Sequence, residues 1–225
     1  MITIVGLGPS DVSCISVGAY EVIRSAPTVF VRTARHPAVG ELAAEGVAFE
    51  SLDYAYESAD TFEEVYARIA ARILEEAAER GDVVYAVPGH PLVGEVSVRV
   101  LIEEARRRGL ELKIVGSESF VEAVLEALSL SLDSGLKILD ALSMERVSPS
   151  HDVGNLVYQV YSRDIASEVK LRLMERYPDD FEVAVISGAG TSEQKVQKMP
   201  LHQLDRCDCG YLTSVYVPPA APDRR

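Results

Sequence analysis

The sequence predicts an α/β fold in which parallel strands are joined by crossover helices. Short apolar runs rich in β-branched residues alternate with amphipathic helical patterns, and glycine-bearing turns follow two of these runs. A hydrophobic content of 48% and a charged content of 25% fit a folded globular protein. The length of 225 residues suits either one large domain or two domains of about 110 residues each.

Strands and helices alternate regularly in the first half of the chain. The predicted strands and extended segments cover residues 2–8, 28–33, 47–52, 83–87 and 111–116. The predicted helices between them cover residues 16–26, 38–46, 61–82 and 94–109. This order is typical of a parallel sheet, so we predict an N-terminal parallel-sheet α/β domain over residues 1–116.

The pattern changes after Gly116, which predicts a second, mixed-sheet α/β domain over residues 117–218. Its predicted elements are a helix at 119–132, an extended segment at 136–142, a strand at 155–161, a helix at 163–180 ended by Pro178, and two sheet segments within 181–204 and 210–218. Residues 219–225 have the composition of a linker or tail, which suggests that the native chain continues.

Charge and hydropathy exclude several classes of function. The net charge of −13 disfavours nucleic acid and anionic membranes as partners, because both require a Lys/Arg surface. No apolar run approaches the roughly 20 residues that span a bilayer, so we expect a cytoplasmic protein. Three cysteines fit a reducing compartment. His202, Cys207 and Cys209 lack the paired spacing of a zinc site, and we predict no metal.

Two turns follow predicted strands at the same edge of the sheet. They are "GLGPSD" (6–11) and "PGHP" (88–91), and together they predict a ligand crevice. The first turn is only half of a dinucleotide motif, because Asp11 stands where a glycine is needed and Arg32 ends the second strand instead of a ribose-binding acid. NADP would tolerate the arginine, but Pro9 removes a backbone donor from the turn. Both dinucleotides are therefore disfavoured.

Four segments in this order resemble the motifs of the tetrapyrrole (corrin/porphyrin) methylases: "GLGPSD", "VPGHPLVGE", "VGSESFVEAVLEAL" and "ISGAGTSEQKV". The resemblance implies two α/β domains with S-adenosylmethionine bound in a cleft between them, and a homodimer. The segment "VRTARHPAVGELAAEGVAFESLD" is similar to one branch in particular, a methylase-like domain joined to a C-terminal MazG nucleotide pyrophosphohydrolase. It therefore also implies a possible MazG domain beyond residue 225.

The resemblance also implies which residues contact S-adenosylmethionine. Mostly they lie in loops, where glycines allow the backbone to approach a ligand closely. The implied cofactor-binding residues are Pro9, Pro88, Gly89, His90, Val93, Glu118, Ser119, Val160 and Gly190.

Two positions depart from the pattern of the family. His90 stands where the family usually has the aspartate of a Gly-Asp-Pro motif. In the uroporphyrinogen-methylating members, an aspartate at the end of the second strand looks like the proton acceptor, and Arg32 occupies that position here. We predict that Arg32, Arg35 and His36 bind carboxylates or phosphates of a small-molecule substrate. No catalytic residue is assigned.

Two functions remain open. The first is methyl transfer from S-adenosylmethionine to a tetrapyrrole-like or other acceptor. The second is a regulatory domain that binds S-adenosylmethionine or a nucleotide and acts on an attached MazG-type enzyme without methyl transfer of its own. The segment "EEAAE" (75–79) mimics half of a MazG metal motif, but the second half is absent, and we interpret it as a solvated helix face.

Overall fold

The computed structural model describes residues 1–57 and 59–220. The chain divides into two compact units, Met1–Glu122 and Ala123–Arg225, whereas the sequence pattern placed a boundary after Gly116. Each unit contains its own β-sheet, so the predicted α/β fold with two sheets is confirmed.

Strands and helices alternate in the first unit. Its strands are β1 (Ile2–Gly6), β2 (Val29–Val31), β3 (Glu50–Ser51), β4 (Val83–Val87) and β5 (Leu112–Val115). Its helices are α1 (Val17–Ser25), α2 (Pro37–Ala44), α3 (Tyr54–Glu57), α4 (Phe62–Arg80) and α5 (Val96–Arg107), and α6 (Phe120–Leu128) contains the division between the units. In the described part of the chain the strands form one sheet in the order β3-β2-β4-β1-β5, and all of its pairings are parallel.

The centre of this sheet is a topological switch point between β1 and β4. The chain passes β4 to go from β1 to β2, and it passes β1 to go from β4 to β5. The connecting helices cover opposite faces: α1 packs in a cluster with Val5 and Ala86, whereas α4 and α5 pack in a cluster with Ile4 and Tyr85. Strands connected in this way leave a crevice at their carboxyl ends, where α/β sheets bind ligands.

The second unit is built on a mixed sheet. Its elements are β6 (Leu136–Asp140), β7 (Gly154–Tyr158), α7 (Arg163–Met174), β8 (Glu182–Ser187), β9 (Lys195–Pro200) and β10 (Thr213–Val217). Over the residues described, the order is β6-β7-β10-β8-β9, and only the β6 and β7 pair is parallel. Helix α7 buries Ala166, Val169 and Leu173 against valines of this sheet.

Several predicted elements are too long, and backbone geometry explains two of the differences. The predicted helix at 119–132 ends at Leu128 because Ser129 adopts a left-handed conformation with φ of 52°. The predicted strand at 155–161 ends at Tyr158 because Gln159 has φ of 64°. The predicted helix at 163–180 ends before Pro178, at Met174.

The buried carboxylate of Glu76 contradicts the interpretation of "EEAAE" as a wholly solvated face. Glu76 is only 4% exposed, and its two carboxylate oxygens pair with Arg72 at 2.8 Å and with Arg80 at 3.1 Å. Arg72 also binds both carboxylate oxygens of Glu50 and lies 4.9 Å from the centre of the Phe30 ring. Arg72 thus joins α4 to the edge strand β3 through Glu50, and Glu76 helps to hold Arg72 in place.

Within residues 1–57 and 59–220, none of the helices combines the length and the apolar character needed to cross a membrane.

Candidate functional site

The loops that follow β1 and β4 are joined through their backbones. The N–H of Gly89 donates to the carbonyl oxygen of Gly8 at 2.7 Å, and the N–H of Gly8 donates to that of Gly89 at 3.2 Å. Both glycines have positive φ, 74° and 64°, which side-chain-bearing residues rarely adopt. The two predicted turns therefore meet at the switch point. We call this region the switch edge, defined by residues 7–9 and 88–90.

Two glycines next to the switch edge, Gly6 and Gly116, have no room for a side chain. A Cβ atom on Gly6 would lie 2.4 Å from the carbonyl oxygen of Gly89, and one on Gly116 would lie 2.4 Å from Nε2 of His90. The ring of His90 thus packs on the loop after β5, and its Nδ1 accepts a hydrogen bond from the N–H of Leu92. His90 is held by its own loop and by Gly116.

Gly89 itself has an open side. Beyond its chain neighbours, a Cβ atom there would meet only Cα of Ser119, at 3.9 Å. Pro9, Pro88 and Val93 are half-buried on the same loops. The switch edge therefore presents accessible backbone, as the sequence pattern predicts for a ligand-binding loop.

A serine pair ties the loop after β5 to the first strand and the first helix. The hydroxyl of Ser117 donates to the carbonyl oxygen of Gly6 at 2.7 Å and accepts from the N–H of Ser16 at 2.9 Å. The hydroxyl of Ser16 donates to the carbonyl oxygen of Gly116 at 2.6 Å and caps α1. These side chains therefore have structural partners that fix the position of the loop.

Ser119 and Glu122 form a capping box at the start of α6. The carboxylate of Glu122 accepts from the N–H of Ser119 at 2.8 Å and from its hydroxyl, while that hydroxyl accepts from the N–H of Val121 at 3.1 Å. The side chain of Ser119 is thus engaged within the helix cap, and a contact from it to a ligand would use the backbone. The predicted neighbour Glu118 is exposed.

His36 is buried directly beneath the switch edge. Its Nε2 donates to the carbonyl oxygen of Gly8 at 3.1 Å, and it is only 9% exposed. Burial, together with the charge of Arg32, lowers its pKa to about 4 against the opposing effect of the Gly8 bond. His36 is therefore neutral at pH 7 and positions Gly8, and it brings no charge with which to attract a carboxylate or phosphate.

Arg32 follows β2, and its charge is paired with Glu95, the residue before α5. Nε of Arg32 lies 3.6 Å from a carboxylate oxygen of Glu95, and the side chains are 27% and 11% exposed. The Tyr56 hydroxyl accepts from Nη1 of Arg32 at 3.3 Å. Burial lowers the pKa of Arg32, but Glu95 and Tyr56 outweigh it, so Arg32 remains cationic. No sequence pattern indicates this pairing, because Glu95 lies far from Arg32 along the chain.

A hydrogen-bond chain fixes Glu95 from below. The hydroxyl of Ser97 donates to Glu95 at 3.3 Å, and it shares a hydrogen bond of 2.8 Å with the hydroxyl of Tyr85, which is fully buried in β4. Burial raises the pKa of Glu95, while Arg32 and Ser97 oppose the rise. Glu95 therefore places a carboxylate beside Arg32 at the end of β2, although it lies in the loop between β4 and α5.

The remaining predicted residues lie apart from this ion pair or in the second unit. Arg35 is exposed, in a loop that Asp53 holds by accepting from the N–H of Ala34 at 2.8 Å. In the second unit, the side chain of Val160 lies in the core, whereas Gly190 is exposed and its N–H donates to Gln194. These two residues can offer a ligand mainly backbone groups.

Comparison with known proteins identifies the family. The family model described as Tetrapyrrole (Corrin/Porphyrin) Methylases matches residues 1–205. The chain belongs to this family. The match covers the whole first unit and most of the second, and the four segments quoted above lie within it.

A longer relative is found in Bacillus subtilis (strain 168). Its description is "Uncharacterized protein YabN", and it is 41% identical to this chain over 226 residues. The alignment covers 99% of this chain and 46% of that protein, so the chain spans about half the length of the curated relative that it matches.

Solved structures share the fold at low sequence identity. Uroporphyrin-III-C-methyltransferase from Thermus thermophilus superposes with a TM-score of 0.75 at 20% identity, over 97% of this chain and 91% of that one. Diphthine synthase gives 0.71 at 22% identity, over 96% and 89%. The Thermus thermophilus enzyme complexed with S-adenyl homocysteine gives 0.69 at 16% identity, over 96% and 95%. These likenesses describe the fold.

Proposed function

We propose that this chain is an S-adenosylmethionine-dependent methyltransferase domain. The observation that carries the proposal is the switch edge, where Gly8 and Gly89 join two family motifs and Gly89 keeps an open side. Membership of a methylase family and the fold shared with an enzyme complexed with S-adenyl homocysteine support it. The same fold occurs in two differently named enzymes, uroporphyrin-III-C-methyltransferase and diphthine synthase. The fold therefore does not identify an acceptor, and we assign none to this chain.

The residues of the switch edge fit the cofactor by offering shape and backbone groups. The predicted contacts are Pro9, Pro88, Gly89, His90 and Val93, with Glu118, Ser119, Val160 and Gly190 as further predicted contacts. When bound, S-adenosylmethionine supplies an electrophilic methyl group on its sulfonium. The protein then needs to hold and align the reactants, and it needs a base only if the acceptor loses a proton.

The end of β2 is the proposed position of the acceptor. Among the described residues, Nε of Arg32 and Nδ1 of His36 are buried nitrogen atoms without a hydrogen-bond partner. Buried polar atoms without partners are rare in folded proteins, and a bound ligand is one physical reason for them. Both residues adjoin the switch edge through Gly8 and Ala86.

The cofactor assignment is tested by calorimetry with S-adenosylhomocysteine on the wild type, Gly89→Ala and Gly109→Ala. Gly109 has φ of 68° and nothing within 4 Å of a Cβ atom, so its substitution imposes similar backbone strain away from the switch edge. We expect one ligand per chain in the wild type and in Gly109→Ala, and affinity at least about tenfold weaker in Gly89→Ala. Absence of heat in the wild type at millimolar ligand would contradict the proposal.

A regulatory role is the second candidate. The Bacillus subtilis relative is about twice as long as this chain, which leaves room in that protein for a further domain such as a MazG-type pyrophosphohydrolase. In this case S-adenosylmethionine would change nucleoside triphosphate hydrolysis by the long protein. Hydrolysis rates of that relative with and without S-adenosylmethionine, measured beside methyl transfer, separate the two roles.

A further inference from the structure

Glu95 alters the chemistry that Arg32 can offer to an acceptor. A lone arginine at the end of β2 would bind carboxylates through charge-assisted hydrogen bonds. Here its charge already faces the Glu95 carboxylate at 3.6 Å, and both groups are largely buried. Their charges sum to zero. The surrounding hydroxyls, of Tyr56 and Tyr85, are neutral at pH 7 as tyrosines ordinarily are, and burial raises their pKa values further.

Of the groups near this pair, the ring of His36 adds no positive charge, and the charge of Arg35 is exposed to solvent. His36 is neutral, since its pKa is lowered to about 4. Arg35 is exposed and lies close enough to Asp53 to contribute to the lowering of the pKa of that carboxyl, which burial opposes. A carboxylate placed at the end of β2 would therefore lose its hydration without gaining a net cation.

The two buried nitrogen atoms without partners differ in what they require, because Nε of Arg32 needs an acceptor and Nδ1 of His36 needs a donor. Nε of Arg32 is a donor, so it requires an acceptor atom. His36 donates through Nε2 to Gly8, so its Nδ1 carries a lone pair and requires a donor. The charge of Arg32 lies close enough to His36 to lower its pKa. A hydroxyl or an amide offers both a donor and an acceptor, whereas an ionised carboxylate offers acceptors only.

We propose that Glu95 determines acceptor specificity by cancelling the charge of Arg32, so that the acceptor group meeting the end of β2 is an uncharged hydroxyl or amide and not a carboxylate. This inference rests on the proposed methyltransferase function. It gives Glu95 a role in selecting the substrate class, and it removes polycarboxylates such as uroporphyrinogen from the favoured acceptors.

The test measures binding of uroporphyrin III, a stable polycarboxylate, by fluorescence titration at pH 7.5. The proteins are the wild type, Glu95→Gln, Arg32→Gln and the double variant. Glu95→Gln keeps the shape of the side chain and frees the charge of Arg32, so we expect it to bind at least about tenfold more tightly than the wild type. The double variant is neutral like the wild type and should bind within about twofold of it, whereas Arg32→Gln alone leaves the Glu95 charge unpaired and should bind more weakly.

Glu103→Gln is the matched control, because it removes one negative charge from the exposed face of α5, the helix that follows Glu95, where Glu103 pairs with Arg99. A gain in Glu103→Gln equal to that in Glu95→Gln would overturn the proposal. So would binding that weakens about tenfold from the wild type to the double variant, because the charge of Arg32 would then attract carboxylates despite Glu95. If Glu95→Gln does not fold, the comparison of the wild type with the double variant still decides.

Binding of S-adenosylhomocysteine to each protein is measured separately. Its absence from the wild type contradicts the methyltransferase proposal, while the porphyrin titrations, which need no cofactor, continue to report the charge at the end of β2.

Discussion

A histidine held against a carbonyl oxygen in the protein interior behaves differently from one in water, and His36 is such a residue. Its ring donates to the carbonyl oxygen of Gly8, which also accepts a hydrogen bond from the N–H of Gly89. Protonation would place a charge in a buried position close to Arg32. The state of this one ring is therefore linked to the stability of the first unit.

We predict that His36 contributes acid sensitivity. Its pKa is about 4 in the folded chain and 6.5 in the reference state, so the fold favours the neutral ring. The stabilisation is complete above pH 6.5 and is lost as the pH falls toward 4. Between pH 7 and 4.5, the free energy of unfolding should fall by roughly 2 kcal/mol more in the wild type than in His36→Gln. Urea unfolding at both pH values measures this difference, and equal losses would contradict it.

We also predict that Glu76 is a stabilising residue of α4. Its carboxylate is buried and pairs with Arg72 and Arg80, so Glu76→Gln replaces two charge-assisted hydrogen bonds by weaker amide contacts, while Arg72 keeps its pair with Glu50. The free energy of unfolding should fall by roughly 1–2 kcal/mol. Glu75→Gln, on the exposed side of the same helix, should change it by less than about 0.5 kcal/mol. Similar values for the two variants in urea unfolding would show that the buried pairs contribute little.

For single residues, the sequence predicts local backbone geometry better than it predicts which side chains contact each other. The turns containing Gly8 and Gly89 carried a local signal, because glycine after a strand indicates unusual backbone geometry. Glu95 carried no such signal, because its contact with Arg32 depends on where the fold places the loop before α5 relative to the end of β2. Glu76 was misjudged for the same reason, because burial of a helix face depends on the sheet edge packed beside it.

Among the elements, α6 shows how a motif shared with a family can serve the fold. Ser119 is a predicted cofactor contact, yet its hydroxyl is engaged in the helix cap with Glu122 and Val121. Most strands and helices were predictable from their periodicity, whereas the short helix α3 was not predicted. Their ends were not: β7 and α6 stop at residues with positive φ, Gln159 and Ser129, which are not glycines.

We predict that Ser119→Ala destabilises the chain without affecting the cofactor site. Loss of the cap should lower the free energy of unfolding by about 1 kcal/mol. Thr61→Ala removes the equivalent cap of α4, where the Thr61 hydroxyl accepts from the N–H of Glu64, and should cost a similar amount. Both variants should bind S-adenosylhomocysteine within about twofold of the wild type. A loss of affinity confined to Ser119→Ala would assign its hydroxyl to the ligand.

For the whole molecule, assembly is the main open property. The apolar residues that alternate in the segments 155–161 and 210–218 are largely used inside the second sheet, where Val157 and Val215 are buried. Exposed apolar side chains remain beside β10: Tyr211 is 91% exposed and stacks with Tyr161, and Leu212 is exposed as well. These three side chains are the surface on which a second copy could pack.

We predict a homodimer in which this surface takes part. Light scattering at micromolar protein should give about twice the chain mass of 24.5 kDa, since closed two-fold assemblies are the commonest oligomers. Replacing Tyr211 and Leu212 together by serine should shift the mass toward that of one chain. Because both side chains are exposed, thermal unfolding of a monomeric variant should stay cooperative. A wild-type mass near 24.5 kDa would contradict the prediction.

The reciprocal bond between Gly8 and Gly89 has a consequence for how this site can change during evolution. The bond is made by peptide groups alone, so it does not depend on which side chains stand at the neighbouring positions. The side chain at a neighbouring position such as His90 can therefore change while this backbone pairing is kept. The two loops can display different chemistry at the edge of the sheet without losing the bond that joins them.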